Sequence, residues 1–133
     1  MSQLAKPTVL VADDDDDIRE LVCVVLRRTG LLPRAVSTGD EALHLARTRD
    51  WRMVVLDVDM PGRTGLEICR ELKGSALARL PILLMSAHCA PQDVAAGYAA
   101  GADDFLAKPF GPRDLVRRAA ELVPFTASAG SPA

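Results

Sequence analysis

The sequence predicts an α/β fold, a doubly wound parallel sheet with helices on both faces. Three observations carry that expectation. Short aliphatic runs recur, stretches with helical spacing separate them, and polar residues stand where the runs end. "TVLVA" (8–12), "MVVLD" (53–57), "PILLMS" (81–86) and "DFLAK" (104–108) read as strands buried on both faces. "LPRAVS" (32–37) is a weaker strand that contains Pro33. Proline has no N–H for the ladder, so this strand belongs at a sheet edge. Ile18, Leu21, Val22, Val25 and Leu26 fall on one face of a first helix, at i, i+3, i+4, i+7 and i+8. Leu115, Ala119 and Leu122, with Val116, Ala120 and Val123, do the same in a last helix. The order is strand then helix, five times over.

The punctuation agrees. Asp17 and Glu20 form an Asp-x-x-Glu capping pattern that opens the first helix. Gly30 and Gly101 follow helical stretches, where a left-handed residue is needed. Pro91 starts a helix after "SAHCA". Residues 1–123 then form one domain, and "PFTASAGSPA" (124–133), small and polar with two prolines, reads as a tail or the start of a linker.

Composition narrows the function. The chain has 133 residues, 49% hydrophobic and 26% charged, which is globular, with a formal net charge of −2. No overall basic field invites direct nucleic-acid binding. No apolar stretch approaches the ~20 residues that span a bilayer, and "MSQLAKPTVL" lacks the features of a signal peptide, so a cytoplasmic location is expected. Cys23, Cys69 and Cys89 are odd in number and widely spaced, which argues against a disulfide framework or a zinc site.

The polar residues at the strand ends point to chemistry. Open parallel sheets bind ligands at the carboxyl ends of their strands. Strand one ends in Asp13 and Asp14, strand three in Asp57, strand four in Ser86, and strand five in Lys108, followed by Pro109. Three carboxylates so close need a proton or a cation between them. Hard oxygen donors with room for water suit Mg²⁺. Asp15, Asp16 and Asp17 complete the run "DDDDD" at a helix start, where negative charge is favoured by ~0.3–1 kcal/mol each. An EF-hand loop does not fit: counted from Asp13, position six is Ile18 and position twelve is Val24. Asp57, facing a cation site and Lys108, has what an attacking carboxylate needs for phosphoryl transfer, with Ser86 available to a phosphoryl oxygen.

At these residues the chain resembles the receiver domains of two-component response regulators, chemotaxis regulators among them. The motifs "VLVADDD", "VVLDVDMPGRTGLE", "PILLMSA" and "GADDFLAKPF" match in order and spacing over about residues 8–123. The resemblance implies a flavodoxin-like (βα)5 sheet of order 2-1-3-4-5. It implies Asp57 as phosphoacceptor, with Mg²⁺ held by Asp14, Asp57 and the backbone carbonyl of Asp59, and by Asp13 through water. Ser86 and Lys108 would engage the phosphoryl group, Phe105 would be the aromatic switch, and the bond to Pro109 would be cis. The implied donor is a sensor histidine kinase or phosphotransfer protein. The domain would catalyse only its own phosphorylation and dephosphorylation, and so would not be an enzyme in the usual sense.

The implied switch draws Ser86 inward, lets Phe105 follow, and reshapes the face of helix four, strand five and helix five. That face, with Asp93, Ala96, Ala99, Ala100, Asp103, Asp104, Arg113 and Arg117, is the expected site for a homodimer or partner. Phe105 has no hydroxyl to strand, so it is expected to prefer the inward rotamer more than a tyrosine would. Asp59 and His88 stand two residues after Asp57 and Ser86, where they are candidates for tuning the phosphoryl lifetime. An exposed His88 without a role is the plainer alternative, and His44, Trp51 and Tyr98 read as surface or packing residues. Two rivals differ in class. "LDVDMPG" also fits the Asp-x-Asp of aspartate-nucleophile phosphatases, although there the motif lies on the first strand. A pseudo-receiver, a pure interaction module, would not need Asp13, Asp14, Asp57, Ser86 and Lys108 together.

Overall fold

A computed structural model describes residues 6–123. The segment 124–133, expected to be a tail or linker, lies outside the described residues. The elements are β1 (Thr8–Ala12), α1 (Asp16–Arg28), β2 (Leu32–Val36), α2 (Gly39–Ala46), β3 (Met53–Asp57), α3 (Gly65–Lys73), β4 (Ile82–Ser86), α4 (Pro91–Ala99), β5 (Asp104–Ala107) and α5 (Pro112–Leu122). All strand pairs are parallel and the sheet order is β2-β1-β3-β4-β5. Strand order therefore reverses between β1 and β3, which opens the crevice where such sheets bind ligands. Pro33 sits on β2, at the edge, as a missing donor requires.

The sheet divides the core in two because side chains alternate along a strand. Leu10, Ala12, Val54, Leu56, Ile82, Leu84 and Phe105 pack with α2, α3 and Ala100 on one side. Val9, Val11, Met53, Val55, Leu83, Met85 and Leu106 pack against α1 and α5 on the other. Every residue of β3 and β4 is buried, so two central strands carry their terminal polar residues to the crevice from a rigid base.

Two local expectations, both on α1, change, and others hold. The cap of α1 is Asp15, not Asp17. The Asp15 carboxylate accepts from the Asp17 and Ile18 N–H groups at 2.9 and 3.0 Å, which places Asp17 inside the first turn. Leu21 is half exposed, because the buried stripe of α1 runs through Val22, Cys23, Val25 and Leu26. Gly30 and Gly101 take φ of 94° and 107°, the left-handed region that a side chain disfavours. A reciprocal capping box of Thr64 and Glu67 starts α3. The Trp51 indole N–H donates to the Leu45 carbonyl at 2.9 Å and the ring is buried, while His44 is on the surface. Among the described residues no helix is long and apolar enough to cross a membrane.

Candidate functional site

The topology brings Asp13, Asp57, Ser86 and Lys108 to the carboxyl edge of the sheet. Asp13 follows β1, Asp57 and Ser86 end β3 and β4, and Lys108 follows β5. Asp13, Asp57 and Ser86 are the buried polar residues among those described. A buried charge needs a partner. The Lys108 ammonium supplies it, 2.9 Å from Asp13 Oδ2 and 3.2 Å from Asp57 Oδ1. One ammonium thus faces two buried carboxylates, and Asp14 adds a third, exposed one. Asp13, Asp14 and Asp57 offer oxygens that all lie within 4.8 Å of one another. Asp14 has no ion-pair partner among the described residues, so the cluster carries uncompensated negative charge.

The three acids are not equivalent. Both Asp13 oxygens are engaged: Oδ1 accepts from the Asp15 N–H at 2.9 Å, and Oδ2 from Lys108. Arg19 also donates to the Asp13 carbonyl at 2.8 Å. Burial pushes the Asp57 carboxyl up from 3.8 to about 6, with the Asp13 charge adding and Lys108 opposing. The Lys108 ammonium is held above its ordinary range: burial opposes this, but the two carboxylates outweigh it.

The rest of the site surrounds this core. The Ser86 hydroxyl accepts from the His88 N–H at 2.9 Å, and the Lys108 N–H donates to the Ser86 carbonyl at 2.8 Å. The bond from Lys108 to Pro109 is cis. His88 Nδ1 lies 3.0 Å from Asp59 Oδ2, so two residues read separately in the sequence form one exposed pair across the crevice. Phe105 is 7% exposed, with its ring inward against α4. A cleft of about 290 Å³ lies between that ring and the crevice, lined in part by Ser86, His88, Asp93 and Ala96.

On the face of α4, β5 and α5 the expected residues separate. Ala100 is buried, and Asp103 turns to Lys73 of α3 at 2.8 Å and to the Ile82 N–H at 2.8 Å. Asp104 Oδ1 accepts from Tyr98, Arg118 and the Phe105 N–H, tying the three elements together. Arg117 pairs with Asp114 of its own helix, while Arg113, Ala96 and Ala99 remain outward or partly so.

Two supports were not singled out from sequence. Arg19 is one. Gly65 is the other: a Cβ there would run into the Asp57 carbonyl and lie 2.9 Å from the Val58 Cα. The only signal was a glycine directly after a capping threonine. Gly65→Ala is expected to cost ~1–3 kcal/mol, read by urea denaturation, since backbone must move behind Asp57 to admit the methyl. Unchanged stability would show that α3 docks less closely than described.

The chain is similar to known proteins in sequence and fold. The family described as "Response regulator receiver domain" matches residues 9–120. The DNA-binding response regulator MtrA of Mycobacterium tuberculosis (strain ATCC 25618 / H37Rv) is 36% identical over 110 residues, covering 83% of this chain and 47% of MtrA. The transcriptional regulatory protein ResD of Bacillus subtilis (strain 168) is 32% identical over 123 residues, covering 92% of this chain and 50% of ResD. The chain thus spans about half the length of these curated relatives. Among solved structures, the Francisella response regulator 1452 receiver domain superposes with a TM-score of 0.84 at 31% identity, covering 90% of this chain and 98% of that one. The chemotaxis response regulator CheY4 of Vibrio cholerae gives 0.83 at 29%, covering 89% and 99%. The fold, the acid-and-lysine crevice and these matches agree, and the chain belongs to the receiver-domain family of two-component response regulators.

Proposed function

We propose that this receiver domain accepts a phosphoryl group on Asp57 from the phosphohistidine of a sensor kinase or phosphotransfer protein, and passes the change to its α4-β5-α5 face. The observation that carries this reading is Asp57 itself: a buried carboxylate at the end of a central strand, 3.2 Å from Lys108 and beside two further acids. An Asp57 oxygen attacks phosphorus, the P–N bond to the donor imidazole breaks, and an acyl phosphate forms. Lys108 neutralises charge on the transferred group. Ser86 is placed to leave the His88 N–H and hydrogen-bond a phosphoryl oxygen.

The donor set fits Mg²⁺, being all oxygen, crowded and short of positive charge. Asp14 and Asp57, with the Asp59 carbonyl, would hold the ion directly. Asp13, whose oxygens already serve Lys108 and the Asp15 N–H, would act through water. When bound, Mg²⁺ supplies charge neutralisation at the phosphoryl oxygens. Mg²⁺ at 100 times its Kd is expected to stabilise the domain by ~2.7 kcal/mol. Asp14→Asn should remove most of that gain, measured as the midpoint of thermal unfolding with and without the ion. Equal stabilisation of both proteins would place the ion elsewhere.

Acetyl phosphate tests the chemistry. Stoichiometric, Mg²⁺-dependent labelling that disappears in Asp57→Asn supports the phosphoacceptor. Sustained turnover of small phosphate esters would favour the aspartate-nucleophile phosphatase instead, but Asp57 ends the third strand of this chain, not the first. Asp59 and His88, paired across the crevice, are placed to tune acyl-phosphate lifetime. His88→Ala is expected to change the dephosphorylation rate by several-fold, and an unchanged rate would leave the pair without that role.

A further inference from the structure

The loop between β3 and α3, residues 58–64, carries the Asp59 carbonyl that the metal reading above assigns to Mg²⁺. Backbone closes its base: the Val58 N–H donates to the Met85 carbonyl and the Gly65 N–H to the Val58 carbonyl, both at 2.9 Å. Met60 is buried and roots the near half in the core. Residues 61–63 are exposed and make no backbone–backbone hydrogen bond among the described residues. What holds them lies on a helix that gives no group to the crevice. Gly39 is the first residue of α2 and is buried. A Cβ there would run into the Arg63 carbonyl oxygen and lie 2.9 Å from the carbonyl carbon and from Arg63 Cβ. Helix and loop therefore meet backbone to backbone. Gly39 is not among the glycines of positive φ, so it supplies room and not a special backbone conformation.

Arg63 fastens the same point from outside. Its guanidinium lies 3.2 Å from Asp40 Oδ1 on α2 and 2.6 Å from Glu71 Oε1 on α3. Glu71 also pairs with Arg47, just past α2, at 2.7 Å. Such exposed pairs are weak singly. Here they converge on one loop residue that Gly39 already touches.

We propose that Gly39 is a positioning residue, through which α2 sets the loop that carries the Asp59 carbonyl. The contact also decides which side yields when it is overfilled. Ala42, Leu43 and Ala46 set α2 into the core, and Thr38 caps it. Residues 61–63 have no comparable hold. A methyl at position 39 meets backbone, which cannot swing aside as a side chain can. It therefore displaces the loop and the Asp59 backbone, while Asp13, Asp14 and Asp57 stay at their strand ends. The function given to the loop rests on the metal reading above; the contact does not.

Mg²⁺ titration of the full chain, followed through its backbone amide resonances, tests this. Gly39→Ala is expected to raise the Mg²⁺ Kd by about 10-fold and to shift the amides of residues 59–64. Val123→Ala is the control. It opens a cavity in the half of the core against α1 and α5, and should lower the folding constant with the Kd unchanged. Arg63→Lys keeps the charge, loses the forked contact with Asp40 and Glu71, and should raise the Kd by about 3-fold. An unchanged Kd in Gly39→Ala, with shifts confined to α2, overturns the proposal. So does an equal rise in Val123→Ala, which would make the effect one of general stability. If Gly39→Ala does not fold, Arg63→Lys decides, and an unchanged Kd there overturns the proposal. Wild-type amides at Asp14, Asp57 and Asp59 that ignore Mg²⁺ would remove the metal reading instead. The hold of α2 on the loop is then judged by whether Gly39→Ala shifts residues 59–64 or α2 alone.

Discussion

Asp57→Asn is expected to abolish acetyl phosphate labelling completely and, without divalent cation, to make the domain more stable at pH 7. The two effects share a cause. Folding carries the Asp57 carboxylate into a buried crevice beside Asp13, and its pKa rises from 3.8 to about 6. A raised carboxyl pKa means that the folded state binds the proton more tightly than the unfolded chain. Stability therefore falls as pH rises between about 4 and 6, and the full cost is present above that window. At ~1.4 kcal/mol per pH unit the cost is ~3 kcal/mol. Asparagine keeps the shape and removes the charge but weakens the bond from Lys108, so a net gain of ~1–3 kcal/mol is expected at pH 7. Below about pH 4 wild-type Asp57 is protonated and the two proteins should converge. Urea denaturation at pH 4, 5.5 and 7 checks the sign. A variant less stable than wild type at pH 7, with no gain as pH rises, would sink this account of the site.

Lys108→Ala is expected to act in the opposite direction. Its ammonium lies within 3.2 Å of both buried acids, and without it Asp13 and Asp57 are left unpaired. Breaking a buried ion pair from one side typically costs 3–5 kcal/mol, so a loss of about that size is expected at pH 7 without divalent cation. Mg²⁺ should recover part of it by supplying positive charge. Phosphoryl transfer should slow by about 100-fold or more even with Mg²⁺ present, since a charged group at the transferring phosphorus is lost. Combining the two substitutions gives a further check. Lys108→Ala should cost less in the Asp57→Asn background, where one buried charge is already gone. Additive effects would mean that Lys108 and Asp57 do not share the interaction described here.

These opposite effects concern residues that sequence reading identified, yet their signs follow from burial. Strand ends are visible in a sequence because aliphatic runs stop abruptly, and parallel topology sends all such ends to one edge. That logic was enough to gather Asp13, Asp14, Asp57, Ser86 and Lys108. It did not distinguish a buried, fully engaged Asp13 from an exposed Asp14 that has no ion-pair partner among the described residues, although the two are adjacent. Nor did it select Asp15 as the cap of α1 from a run of five identical residues, because the choice depends on where the backbone leaves β1.

By itself the sequence determined the order of strands and helices, the edge position of the proline-bearing strand, and the set of acids and lysine brought to one crevice. Each follows from local periodicity, a missing donor or a strand terminus, and each is written within a few residues. The tertiary structure alone decided that His88 meets Asp59 across 29 positions, that Lys108 reaches Asp13 across 95, that Gly65 lies against the Asp57 backbone, and that Phe105 rests on Gly97. Those contacts join separate elements, and their distances are set by how helices settle on the sheet, a quantity no short stretch of chain encodes.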